Sequence, residues 1–138
     1  MKRNNFILGL FLISFLALSA CHKNDILSPE NNDQNIPVVA NVQNAFSFVV
    51  AARSYNHSDN YNLQFSGDTL AVAVTISRFI NGSGEITIYN GNNSVIYSKK
   101  ITSNIILADV MQPQTMPARI NIDLNNFSGS LVLSAAAK

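Results

Sequence analysis

Apolar and polar residues alternate along most of the chain from Ala45 onward. Phe46, Phe48 and Val50 alternate with Ser47, Val49 and Ala51, and Tyr61, Leu63 and Phe65 alternate with Asn62 and Gln64. The same period of two runs through Leu70–Ile76, Ile86–Tyr89, Val95–Ser98, Ile120–Leu124 and Leu131–Ser134. A strand sends successive side chains to opposite faces, so each run predicts a half-buried β-strand. Val72, Val74, Ile120 and Ile122 are expected inside, with Thr75, Asn121 and Asp123 outside. Breakers fall between the runs: Ser66-Gly67-Asp68, Asn81-Gly82-Ser83-Gly84, Asn90-Gly91-Asn92-Asn93 and Ser128-Gly129. Asn and Gly tolerate positive φ, so these read as turns. Ile105–Met111 fits a single helical turn or another strand, and Gln112 to Pro117, with two prolines, fits a surface loop. The pattern predicts an all-β fold of seven or eight short strands. Residues 45–138 should form a small antiparallel β-sandwich of jelly-roll or immunoglobulin-like type.

The start of the chain is patterned differently. Lys2 and Arg3 precede an uncharged run, FILGLFLISFLALSA, from Phe6 to Ala20. A membrane-spanning helix wants about 20 apolar residues. This run is shorter and has the basic start and small-residue end of a secretory signal. Leu18-Ser19-Ala20-Cys21 follows at its end and holds the one cysteine of the chain.

This tetrad resembles the lipobox of bacterial lipoproteins: a Leu, two small residues and a Cys. The resemblance implies that residues 1–20 are removed as a signal peptide. It further implies that Cys21 is lipid-modified on its thiol and usually acylated on its new amino group. Several acyl chains give stable anchoring where one gives only marginal binding. The Asn-rich stretch after the cysteine is similar to lipoproteins of the Bacteroidota, and His22, in place of the Asp that retains enterobacterial lipoproteins at the inner membrane, points to the outer membrane. Cys21 to Asn44 reads as the acylated residue and a flexible tether, because Asn, Asp, Gln, Glu and Pro dominate it and it lacks a core-forming face. As a coil it would hold the domain roughly 25–30 Å from the bilayer.

Charge narrows the partners. Nine basic and eight acidic residues leave the chain near neutrality, and Lys99-Lys100 is its one basic pair after the signal. No basic stripe suggests nucleic acid. With its thiol acylated the chain can form no internal disulfide, and its core must hold it together.

Candidate chemistry is sparse. His57 sits in the polar stretch Ser54-Tyr55-Asn56-His57-Ser58-Asp59, which reads as a loop. A histidine beside an aspartate could serve a metal or acid–base site, or simply a solvated turn. Tyr55, His57 and Tyr61 form a candidate binding loop, because tyrosine offers flat amphipathic contact to a glycan or partner. Gln112 to Pro117 is a second candidate. Asp68-Thr69-Leu70 is similar to the Bacteroidota O-glycosylation motif and makes Thr69 a candidate acceptor. No catalytic residue, metal or cofactor is expected. The sequence suggests a lipid-anchored cell-envelope protein that is not an enzyme. Its domain would serve as an interaction or structural module toward an envelope protein or glycan, or alternatively bind glycan or lipid.

Overall fold

The computed structural model describes residues 34–67 and 69–138. Cys21 and the signal-like segment lie outside them, as does Asp68. The described chain is all-β, with six strands: β1 (Val38–Val42), β2 (Ala45–Asn62), β3 (Leu70–Asn90), β4 (Val95–Ile101), β5 (Ile105–Met111) and β6 (Pro117–Ala137). Every pairing is antiparallel, in the order β1-β2-β6-β3-β4, with β5 also paired to β3.

Strand length departs from the expectation of seven or eight short strands. β2 has 18 residues, and β3 and β6 have 21 each. Mean strands run about 5–6 residues. These three are long because each turns a corner in mid-strand and serves two layers. The first layer is β1, the N-terminal half of β2, the C-terminal half of β6, the N-terminal half of β3, and β5. The second is the C-terminal half of β2, the N-terminal half of β6, the C-terminal half of β3, and β4. The layers close on each other as a sandwich. Phe46 in the first half of β2 meets Tyr61 in its second half, with ring centroids 5.4 Å apart, and Phe48 meets the His57 ring at 5.2 Å.

The corner explains two segments that read as turns. Asn81-Gly82-Ser83-Gly84 lies inside β3, and Ser128-Gly129 inside β6. Register slips occur at matching places, between Ala52 and Tyr55 against β6 and between Ser77 and Ser83 across β3. Ser54, Arg78 and Asn126 take positive φ there, and so does Gly82 at 91°. Such bulges bend a strand and leave ladder groups unpaired. Side chains occupy several of the released amides. Ser128 Oγ accepts from the Ser54 amide at 2.9 Å, and Asn56 Oδ1 from the Asn126 amide at 2.8 Å. Asn104 Oδ1 accepts from the Phe79 amide at 2.9 Å. The Asn and Ser content of these segments therefore serves a fold in the sheet as well as its turns.

The core follows the alternation. Val72, Val74, Ile120 and Ile122 are buried, as are Phe46, Phe48, Ile86, Ile88, Leu131 and Leu133. Asp123 is exposed, and Thr75 and Asn121 are half-buried. Phe127 sits fully buried at the corner and packs its ring against Phe79 at 6.0 Å.

Order begins earlier than the alternation. β1 falls within residues 21–44, the segment read as tether, and covers one edge of β2. Ahead of it, Asn35 joins Arg53 through both side-chain atoms, at 2.8 and 3.1 Å. Ile105–Met111 resolves as strand β5, on the far edge of the first layer.

Candidate functional site

Tyr55, His57 and Tyr61 lie in strand β2 and not in a loop. Period two puts all three on one face, where the bent strand folds them over Phe46 and Phe48. His57 is half-buried between the two tyrosines. The Tyr55 hydroxyl lies 3.2 Å from Nδ1, and the Tyr61 hydroxyl 3.3 Å from Nε2. The Tyr55 and His57 rings stack at 5.6 Å with 22° between their planes. A neutral imidazole has one donor and one acceptor nitrogen, so one hydroxyl donates to the ring and the other accepts from it. Burial, then Asp59 and Tyr55, raise the Tyr61 hydroxyl above its ordinary range and keep it protonated. Both nitrogen contacts lie within β2 itself, and across the layers His57 meets the Phe48 ring.

Tyr97 and Asp109 lie on β4 and β5. The Tyr97 hydroxyl is buried and finds no partner in good hydrogen-bond geometry. Burial, reinforced by the Asp109 carboxylate, pushes its pKa up to about 12. An unfolded tyrosine ionises near 10. Below pH 10 both states are protonated and the full stability is present. Between pH 10 and about 12 the unfolded chain loses its proton first, so stability falls as pH rises. Tyr97→Phe should flatten this fall in urea midpoints measured from pH 9 to 11.5. A slope unchanged from the wild type would show that Tyr97 is not its source.

A cleft of about 390 Å³ opens at the end of the sandwich where the β3–β4 turn meets the β5–β6 loop. Leu63, Phe65, Met116, Pro117 and Ala118 supply apolar walls, with Asn92 and Thr115 at the polar side. Asn90 builds the polar wall. Its Nδ2 donates to Thr115 Oγ1 at 2.7 Å, while its Oδ1 accepts from the Asn92 and Ser94 amides at 2.9 Å each. The second candidate segment, Gln112 to Pro117, thus contributes three residues to the cleft, and Pro117 itself begins β6. Asn90 and Phe65 were legible only as a turn residue and a strand residue. Nothing in their spacing announces a shared cleft.

Thr69 lies just before β3 and exchanges two backbone hydrogen bonds with Lys138, at 3.0 and 2.9 Å. Its neighbour Leu70 is fully buried. The glycosylation candidate is therefore half-buried against the end of β6. Among the described residues no group of three or more His, Cys, Asp or Glu side chains converges as a metal set. No helix among them is long and apolar enough to cross a membrane.

No family model matches the chain, and no curated protein matches it. Among solved structures, it is similar to one described as "Bacillus endospore appendages form a novel family of disulfide-linked pili". The two share 12% identity and a TM-score of 0.45, over 74% of this chain and 91% of that one.

Proposed function

We propose that this protein is a lipid-anchored lipoprotein of the cell envelope whose β-sandwich acts by binding rather than by catalysis. The observation that carries the anchor is Leu18-Ser19-Ala20-Cys21 at the end of a charge-free run that starts after Lys2-Arg3. Residues 22–33 would then join the acylated cysteine to a domain beginning near Gln34, on the outer membrane. The binding reading draws on the end cleft and on the engaged state of His57. A histidine whose two nitrogens already face tyrosine hydroxyls is a poor base for an incoming substrate, since a general base must reach the proton it takes.

The cleft is open and presents polar and apolar surface in similar measure, which favours a second reading, in which the domain holds a small amphipathic glycan or lipid group. The anchor is the part with the sharpest test. Cells making the whole chain, fed a clickable fatty acid, should label the wild type and not Cys21→Ser. The variant should also leave the membrane fraction. Equal labelling of both would sink the proposal.

A further inference from the structure

The two outer faces of the sandwich differ in chemistry. On the second layer one cross-strand row reads Ser58, Asp123, Glu85, Lys100. On the first layer every outward strand position is Val, Ile, Ala, Ser or Thr. Its central row runs across all five strands as Val38, Val49, Val132, Thr75 and Ile106. Val49 and Val132 lie on the inner strands of that layer, yet they are 39% and 45% exposed, and Ile106 is 90% exposed. Soluble monomers rarely expose contiguous apolar patches larger than a few hundred Å².

We propose that this face packs against the same face of a second copy of the chain, sheet on sheet. Size supports it. Five strands about 4.8 Å apart and four rows about 6.8 Å apart give a flat footprint of roughly 600 Å². Side-chain relief adds to that, and a standard interface uses about 800 Å² from each partner. Charge supports it as well, because interface centres are depleted of charge and this face carries none to desolvate. Stacked sheets are an ordinary way to cover an apolar sheet face, at about 10 Å separation. A bilayer is the poorer occupant. Surfaces that sit among lipid headgroups use Trp, Tyr, Lys and Arg. The chain has no Trp, and Tyr55, Tyr61, Tyr89 and Tyr97 all belong to the second layer.

The test uses the whole chain in the membranes of the cells that make it, treated with a short bis-maleimide. Val132→Cys places a thiol on the proposed face, Ser58→Cys places one on the opposite face, and the unaltered chain controls for Cys21. Val132→Cys should give a cross-linked species of twice the chain mass, at least several-fold more than Ser58→Cys. Adding Val49→Lys should reduce it by a similar factor. Absence of dimer, equal yields from the two positions, or indifference to the lysine would overturn the proposal. Protection of the Val132→Cys thiol from a soluble maleimide without dimer would also overturn it, by giving the face to lipid or to another protein. Cross-linking of the unaltered chain would count against acylation of Cys21 and leave the comparison of faces intact.

Discussion

Gly82→Ala should destabilise the domain by about 3 kcal/mol or more, enough to remove a large part of the stability of a typical domain. Two causes add. Gly82 holds φ at 91°, a conformation that L side chains rarely adopt. A Cβ there would also overlap the backbone carbonyl of Asn126 on β6. That obstacle is main chain, so relief would require β3 and β6 to separate at the corner they share. Gly91 lies in the β3–β4 turn, and a Cβ there meets nothing within 4 Å. Gly91→Ala should change stability by less than about 0.5 kcal/mol. Urea unfolding of the two variants beside the wild type would decide the matter. Equal midpoints would mean that the corner adjusts without strain.

Phe127→Ala should cost about 3–5 kcal/mol, in the range seen when a buried aromatic ring is deleted. The ring is fully buried on the inside of the bend, beside Phe79 and facing Tyr55 across the β2–β6 ladder. Bulges on both sides fix the backbone there, so the space left behind can collapse only in part. Ile106→Ala also trims an apolar side chain to a methyl group, but from one that is 90% exposed. In dilute monomer it should shift the midpoint little. A Phe127→Ala variant close to wild type would show that the corner stands on its backbone bonds alone.

The alternating residues were legible because a two-residue period has a single physical meaning wherever one face is buried. Val72, Val74, Ile120 and Ile122 fall inside on that basis alone. The corner was not legible. A chain that reverses and a chain that folds its sheet over both need positive φ and local side-chain acceptors, so Asn81-Gly82-Ser83-Gly84 and Ser128-Gly129 have the composition of turns in either case. Whether the strand continues is decided by partners distant in sequence, such as Asn81 opposite Ser128.

Tyr55–Tyr61 misled for a related reason. Its inward side chains are aromatic and polar, so a strand was disguised as a polar loop. Tyr55, His57 and Tyr61 do meet, along one strand and over Phe46 and Phe48. β1 was missed because Pro37-Val38-Val39-Ala40-Asn41-Val42 lacks alternation, as suits an edge strand with little to bury. Leu18-Ser19-Ala20-Cys21 is a purely local motif, and its reading as an anchor rests on the sequence alone. The end cleft depends on three separate loops and could not be read that way.

The placement of β6 has a consequence for how the protein is made. β6 lies between β2 and β3 in both layers, yet it follows them in sequence. Ala45 pairs with Ala136 and Leu70 with Ala137, so the ladder joins residues made far apart in time. Pairings of such long sequence separation form slowly. Until residues 117–137 have been synthesised, β2 and β3 lack the neighbour they share, and neither layer can close. A chain that emerges in this order can pair β1 with β2, and β3 with β4 and β5, but joins these two halves only when its last strand has been made.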